Sequence, residues 1–535
     1  MKKIVMLLVT VVFISTIEAK EKKEPVIMTV AGKDIPLSEF IYIAKKDSSI
    51  DFNDKNAVNN FVELFKDYKL KVADAESFNF HTHPKFLEDL ENYKRQLQES
   101  YLEDKSGQDV ALRKIYDRSK IIPGFKHILF RFPVGEIYSG VSGILPKDTV
   151  APYNSAMEAY NRIMSGESFE SVGESLTKDV EDRVVSYTTV QNVFPLEMTK
   201  TMEEKVFTME PGEISLPVRS PGGFHVIKLE KRIPNPGKVR VAHILTMFPA
   251  NNPTEAEKAE TLRQSDSIYQ RVMAGDDFAE LAKKYSKDSV SGINGGVIPL
   301  FGIGQMIESF EKAAFALEKE GDISKPIETR YGYHVLKLLE PAHEIPYEEM
   351  AGRYYESMRK SDRNFELYHE FVEKMKVRHG YIFYPEAYDE LKRLADEYFP
   401  LDTAFFNKGM EMEKTLIVFD SASYKQNLFV NYVNRRPSTK TLSIDYMEEI
   451  FNLFIHDVLT EMEREILERD FPEYNKQVKE YYDGFLLFEM SNRRIWRFPQ
   501  EEQDKLETEW VKELNQKYPV VINQKVLKNI KKYIN

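Results

Sequence analysis

The side chains best suited to hydrogen-bonding or proton-carrying chemistry occur in two matching sets, each with two histidines and one aspartate. The sets are His127, Asp179, His225 and His243, Asp288, His334. The two aspartates lie 109 residues apart, and so do the second histidines. Imidazole and carboxylate groups can hold or transfer a proton near neutral pH. Any chemistry of this kind therefore belongs to a unit that the chain carries twice.

The sequence lacks the residue patterns of several other catalytic classes. It contains no cysteine, which excludes a thiol nucleophile and a disulfide framework. We find no phosphate-cradling loop, no histidine cluster at metal-ligand spacing and no hydrolase elbow. The net charge of -12 argues against a nucleic-acid partner, which would select a basic surface. We therefore expect neither a metal nor a cofactor.

A longer internal repeat surrounds both sets of side chains. The matching segments are 127–133 with 243–249, 160–169 with 269–278, 212–215 with 321–324, and 223–226 with 332–335. Most of these pairs keep an offset of 109 residues, which chance does not produce over so many matches. The repeat predicts two copies of one domain at 122–233 and 238–341, joined by a short, stiff, proline-rich linker.

Each copy is predicted to begin and end with a strand and to carry helices between them, which is typical of an α+β domain. The apolar run 243–245 suits a buried strand, and the pattern over 256–273 predicts a long helix. The flanking modules, 20–121 and 343–535, are mostly helical by periodicity. We expect these flanks to pack on each other, because the N-terminal one alone offers a small core.

The first residues have the features of a signal peptide. Lys2 and Lys3 precede an apolar stretch of about 14 residues, and 17–19 is a plausible cleavage site, which predicts a signal over 1–19. A transmembrane helix needs roughly 20 residues, so this stretch is short for a span, although an uncleaved anchor stays an alternative. We expect an exported, periplasmic protein without a stable membrane span after signal removal.

The second copy resembles the parvulin family of peptidyl-prolyl cis/trans isomerases. The resemblance rests on the segments 239–245, 278–286, 295–310 and 329–335, which follow one another in the family's order. It implies the parvulin fold and a non-covalent catalysis of rotation about X–Pro bonds. The barrier to that rotation is about 18–20 kcal/mol, because resonance flattens the amide. A catalyst must grip the proline ring and favour the twisted amide.

The resemblance also implies the site residues of the second copy. The catalytic centre would contain His243, Asp288, Thr329 and His334. The proline pocket would be lined by Ile298, Met306 and Phe310. The two histidines would share a hydrogen bond, the aspartate would face the reacting carbonyl, and the pocket side chains would be partly open to admit the ring. As alternatives, the apolar side chains are simply core, the histidines are satisfied core residues, and the aspartate is a solvated loop acid.

The first copy departs from this pattern. It keeps His127, Asp179, Met198 and His225 as a second, weaker site. The glycine pair 295–296 has no counterpart there, and Met202 stands at the position of Phe310. Glycine permits backbone angles that other residues resist, so the rim of the pocket should be reshaped. We expect this copy to be weakly active or only to bind peptides.

The order of the modules resembles the two-parvulin periplasmic chaperones of the SurA type, in the form found in Bacteroidetes-type bacteria. This likeness implies a folding chaperone for exported proteins, among them outer-membrane proteins. Its partners would be unfolded or extended proline-containing polypeptides. The alternative is a non-catalytic holdase that grips such chains through its parvulin and helical modules. The sequence indicates neither the clients nor the oligomeric state.

Overall fold

The computed structural model describes residues 24–48, 50–138, 140–178, 184–436 and 438–534. The chain forms two compact units, the described parts of 1–103 with 457–535, and those of 104–456. The predicted signal peptide and Asp179 lie outside the described residues. Within the described ranges, no helix is both long enough and apolar enough to cross a membrane. The domain boundaries drawn from the repeat stay predictions.

The first unit is a helical body around a small antiparallel sheet. Its central strand Val26–Val30 pairs with Lys33–Pro36 on one side and with Val520–Ile522 on the other. Its helices are Leu37–Ala44, Lys55–Ser77, Pro84–Leu102, Pro472–Ser491, Gln500–Lys517 and Gln524–Lys528, with a π-helix at Asn492–Trp496.

One apolar core in this unit joins residues from both ends of the chain. Phe40 and Phe65 come from the N-terminal segment, and Leu486, Trp510 and Leu514 from the C-terminal one, and all five side chains are buried. The two segments cannot hide these faces separately, because each supplies only part of the core. The expected packing of the flanks on each other is therefore present between 24–103 and 457–534.

A buried ion pair also links the two segments. The Nζ atom of Lys69 lies 2.5 Å from Oδ2 of Asp483, and their side chains are 7% and 1% exposed. Glu39 is a second partner of the lysine, and Lys479 bonds the other oxygen of Asp483 at 2.6 Å from a half-exposed position. Buried charges are costly to desolvate, so removing one partner leaves the other without compensation.

We expect Asp483→Ala to lower the free energy of unfolding by about 3 kcal/mol or more, because Lys69 would stay buried with one carboxylate. Lys479→Ala removes the exposed partner of the same carboxylate and should cost less than about 1 kcal/mol. Urea unfolding followed by tryptophan fluorescence measures both variants, because Trp510 lies in this core. Equal losses would contradict the argument from burial.

The second copy of the repeat is built on an antiparallel three-stranded sheet. In sheet order the strands are Ile327–Thr329, Gly332–His343 and Lys238–Met247. The helices are Glu255–Met273, Phe278–Tyr285, Ser289–Gly292 and Glu308–Phe315. Helices and sheet pack around shared apolar clusters, which confirms the predicted α+β class.

The first copy has the same plan with one additional strand. In sheet order its strands are Val185–Val190, Ile121–Arg131, Gly223–Pro234 and Val218–Ser220, all antiparallel. Its helices are Val150–Met164, Phe169–Thr177 and Lys200–Val206, and a hairpin joins Glu136–Tyr138 to Val141–Gly143.

The rest of the second unit is mostly helical. Lys105–Ser119 precedes the first copy and packs against Tyr347–Arg359, which follows the second, through a shared apolar core. Further helices are His369–Arg378, Pro385–Glu397, Thr403–Met410 and Gln426–Arg435, and the strands Ile382–Phe383, Thr415–Phe419 and Ala422–Lys425 form a small sheet. The helix Ser443–Asp470 begins in this unit and ends in the other.

Candidate active site

The register of the central strand pair brings His243 and His334 together. His243 lies opposite Leu336, and His334 precedes that leucine by two residues on the same strand. Side chains alternate along a strand, so both imidazoles project from one face of the sheet. Their Nδ1 atoms are 3.1 Å apart, and the two rings are nearly parallel, with an interplanar angle of 14° and centroids 5.3 Å apart. The predicted hydrogen bond between the histidines therefore has a geometric basis in the fold.

Burial and hydrogen bonding set the charge of each group in the site. Burial lowers the pKa of His334 and of His243, and Asp288 offsets this only in part for His243. Both imidazoles are therefore neutral near pH 7. Burial alone would raise the pKa of Asp288, but hydrogen bonds from Ser291 and His243 outweigh it and lower that pKa. The carboxylate is ionised.

The two ends of the histidine pair decide which nitrogen carries each proton. Oδ2 of Asp288 lies 2.9 Å from Nε2 of His243, and a carboxylate can only accept, so this nitrogen donates. Because His243 is neutral and carries its proton on Nε2, its Nδ1 atom must accept a hydrogen bond from Nδ1–H of His334. The hydroxyl of Thr329 donates to Nε2 of His334 over 2.9 Å. A single directed chain of hydrogen bonds runs from the threonine to the aspartate.

Ser291 is a further hydrogen-bonding partner of Asp288 and His243, and it is not among the site residues predicted from the sequence. Its hydroxyl donates to Oδ2 of Asp288 at 2.6 Å and lies 2.8 Å from Nε2 of His243. Asp288 also caps the short helix Ser289–Gly292, because its Oδ1 accepts the N–H of Val290 at 3.2 Å. The available signal was a capping aspartate with a serine three residues later, which one helical turn brings back to the carboxylate.

Gly296 lets the pocket segment approach the central strand. Its carbonyl accepts the N–H of His243 at 2.8 Å, and its φ is +81°. A Cβ at this position would lie 2.3 Å from the carbonyl oxygen of His243, so only glycine fits. The glycine pair seen in the sequence thus holds the backbone of one of the site histidines.

The predicted pocket residues differ in their exposure. Phe310 is 5% exposed, and the edge of its ring meets both imidazoles, with centroids 5.6 Å from His243 and 5.2 Å from His334. Met306 is 37% exposed, and Ile298 is half-buried. The expectation of a partly open side chain is therefore wrong for Phe310, which belongs to the core, and it holds for the other two. Phe310 thus packs against the histidine pair inside the domain, whereas Met306 is open to solvent.

The first copy keeps the histidine pair. The Nδ1 atoms of His127 and His225 are 2.8 Å apart, and their centroids are 5.0 Å apart. Ser220 stands in the place of Thr329, with its hydroxyl 2.8 Å from Nε2 of His225. Burial lowers the pKa of both rings, so this pair is neutral as well. The hydroxyl–histidine–histidine arrangement is common to both copies.

The apolar surroundings of that pair differ in the first copy. Met202 is 5% exposed, as buried as Phe310, and packs in one apolar cluster with Met198 and with Phe125, whose ring is 5.6 Å from His127 in a T-shaped contact. Instead of the glycine turn, the regular strand Val185–Val190 pairs with the central strand, and a regular ladder needs no left-handed backbone. Met198, the counterpart of the exposed Met306, is half-buried in this cluster.

Comparisons with known proteins agree with this geometry. Residues 116–231 and 243–340 match the family described as Rotamase, PPIC-type PPIASE domain. The two copies are parvulin-type domains. The resemblance of the second copy to this family is confirmed, and it extends to the first parvulin domain despite its altered pocket.

Relatives of the chain include chaperones and foldases. Chaperone SurA of Pseudomonas fluorescens is 31% identical over 185 residues, 34% of this chain and 42% of that protein. Foldase protein PrsA of Caldanaerobacter subterraneus is 41% identical over 119 residues, 22% of this chain and 38% of that protein. A crystal structure of PrsA, a peptidylprolyl isomerase from Bacillus anthracis, is 29% identical, covers 26% of this chain and 59% of that one, and gives a TM-score of 0.18. The chain thus spans less than half the length of these two curated relatives.

We expect His334, whose pKa burial lowers to about 3, and His243, whose pKa burial also lowers, to stay neutral below the pH of about 6.5 at which an unfolded histidine takes up a proton. The folded state should then lose stability as the pH falls below that value, because the unfolded chain binds more protons. Imidazole ¹⁵N spectra should give the Nε2–H tautomer for His243 and the Nδ1–H tautomer for His334. His334→Gln assigns the signals, and exposed His83→Gln serves as the control. Protonation of either ring near pH 6.5 would contradict the hydrogen-bond chain.

Proposed function

We propose that this chain is a peptidyl-prolyl cis/trans isomerase and folding chaperone, and that its second parvulin domain performs the catalysis. The observation that carries the proposal is the ring of Phe310 against a neutral histidine pair next to an ionised Asp288, with the exposed Met306 four residues before Phe310 in the chain. An apolar contact for the proline ring and a charge for the amide are therefore close together.

The apolar part of the site would hold the proline ring while the amide turns. Met306 can adapt its unbranched side chain to the ring, and Phe310 offers a rigid wall that its core neighbours keep in place. The neutral histidines beneath that wall are fixed by their hydrogen bonds and leave no uncompensated charge there. Binding that is tighter for the twisted state than for either planar isomer lowers the barrier.

The electrostatic part of the site would act on the carbonyl. A planar amide is polarised by resonance and carries negative charge on its oxygen, whereas the twisted amide has lost part of that charge. The ionised Asp288 would repel the planar amide more than the twisted one. Ser291 and His243 hold the carboxylate in position, so little reorganisation is needed when a client binds.

A chaperone role has its own support in the first unit. Phe78, Phe488 and Trp496 are 44%, 53% and 50% exposed, and the last two rings are in contact at 5.4 Å. Exposed aromatic clusters of this kind mark interaction sites. The likeness to a protein named Chaperone SurA also supports a chaperone role.

We place the protein in the periplasm and take unfolded, proline-containing polypeptides, including those of the outer membrane, as its clients. The first parvulin domain would bind such chains with little catalysis.

We expect Met306→Ala to lower kcat/KM for a proline tetrapeptide by about tenfold, the equivalent of about 1.4 kcal/mol, because the ring loses its open apolar contact. Met198→Ala, the equivalent change in the first parvulin domain, should alter turnover less than twofold, an order-of-magnitude expectation for a residue outside the reacting site. A protease-coupled isomerisation assay measures both. A larger loss from Met198→Ala would place catalysis in the first domain. Aggregation suppression by a wild-type chain that isomerises no proline peptide would favour the holdase.

We expect Asp288→Asn to lower turnover by about tenfold or more, because the charge next to the amide is lost. The fold should survive, because asparagine also caps helix N-termini. Asp277→Asn is the matched control, since Asp277 caps the neighbouring helix Phe278–Tyr285 in the same domain. Urea midpoints measured beside turnover separate the two effects. Wild-type turnover in Asp288→Asn would show that the carboxylate does not contribute to catalysis.

A further inference from the structure

A cavity of about 680 Å³ lies between the two parvulin domains, next to the proposed proline pocket but outside it. Its walls come from the rims of both domains, from the linker 235–238 and from the helices on either side of the repeat. The apolar and aromatic part of the lining includes Tyr116, Phe194, Leu196, Ile303, Met350 and Tyr354. Its size is within the range of small-ligand sites, about 300–1,000 Å³.

The two parvulin domains contribute equivalent segments of the repeat to the lining of the cavity. Residues 194–197 of the first domain correspond to 302–305 of the second. In both, the first N–H donates to the side chain three residues later, at 2.9 Å. The third N–H donates to a buried glutamate, Glu203 at 2.8 Å or Glu311 at 2.7 Å. Both rims are thus held in one conformation before a ligand binds, which reduces the entropy lost on binding.

The rim of the first domain carries a strained leucine. Leu196 has φ +72°, and the equivalent Gly304 has φ +82°. Glycine adopts this left-handed conformation freely, whereas a leucine there is strained by about 1–3 kcal/mol. The leucine side chain lines the cavity. The leucine is half-buried and packs against the apolar core shared by Lys105–Ser119 and Tyr347–Arg359, and the rest of its side chain is open to a ligand in the cavity.

We propose that this cavity binds the residues of a client polypeptide that flank the proline held at Met306. Gln305 lines the cavity and directly precedes Met306 in the chain, so the cavity lining reaches the residue next to the proposed pocket side chain. Gly237, Gly302 and Gly304 line the cavity with backbone; their N–H groups already donate to Asn235, Gln305 and Glu311, so their carbonyl groups would accept hydrogen bonds from an extended chain. This inference rests on the proposed isomerase function and gives the first domain a binding role in it.

The charges of the lining favour an uncharged segment. The cationic side chains are Lys120, Lys238 and Arg353, and the anionic ones are Glu197 and Glu344. Because Lys120 already lies 3.7 Å from Glu344, little net charge is left to attract an ion. Apolar and aromatic residues beside the proline should therefore bind best, as expected for segments of an unfolded chain.

The test compares two substrates of the full-length protein: a proline tetrapeptide that reaches only the pocket, and a twelve-residue peptide with apolar residues on both sides of the same proline. In Phe194→Ala and in Leu196→Gly, which keeps the turn because glycine accepts it, the ratio of kcat/KM for the long peptide to that for the short one should fall about fivefold. Met410→Ala, a methionine outside the cavity, should keep the wild-type ratio. An unchanged ratio in the two cavity variants would overturn the proposal.

A second measurement does not depend on catalysis. The chain has no cysteine, so Ser357→Cys places a single thiol in the cavity and Ser421→Cys places one on a distant exposed turn. A photo-crosslinker on each thiol should capture the long peptide at 357 several times more than at 421. If the wild type did not isomerise the tetrapeptide, the proposed function would fail, while crosslinking at 357 would still support a polypeptide site. Equal crosslinking at both positions would overturn it.

Discussion

The hydrogen bond between the two buried imidazoles is the interaction on which each parvulin domain depends. Two neutral rings can share it only if one Nδ1 donates and the other accepts, so each Nε2 needs a partner of the opposite kind. Thr329 supplies the donor at one end and Asp288 the acceptor at the other. Strand register, the hairpin that carries the threonine and the close approach of Gly296 all serve this one arrangement. A charged imidazole at this depth would be costly.

Comparison of the two parvulin domains distinguishes the residues that the fold requires from those that the proposed catalysis requires. The first domain keeps the histidine pair and a hydroxyl, Ser220, but Met198, the counterpart of the exposed Met306, is half-buried and packs in an apolar cluster. The histidine pair can therefore persist as a structural feature of the sheet. In the proposed mechanism, the neighbouring pocket distinguishes a catalytic domain from a binding one, because the first domain also keeps an aspartate, Asp179, in the repeat, so the histidines alone do not indicate activity.

Local patterns in the sequence predicted the features that depend on local structure. The pattern over 256–273 matches the helix Glu255–Met273, and the histidine pair follows from side-chain alternation on two strands. The burial of Phe310 was out of reach, because it depends on how a helix docks against the sheet. For Ser291 the local signal gives its bond to Asp288, but not its approach to His243, which lies on another element. The pairing of Lys105–Ser119 with Tyr347–Arg359 joins segments separated by the whole repeat, and no periodicity encodes it.

The duplicated rim shows how one scaffold can serve two uses. Glu203 of the first domain is fully buried and bonds Arg118 at 2.8 Å and Arg363 at 3.1 Å, both from helical segments outside the repeat. Buried carboxylates require such partners, so these ion pairs tie the rim of the first domain to its helical surroundings. The equivalent Glu311 holds the backbone N–H groups of Gly304 and Met306. The glutamate at this position of the repeat thus fixes part of the cavity lining in the first domain. In the second domain it orders the backbone next to the exposed Met306.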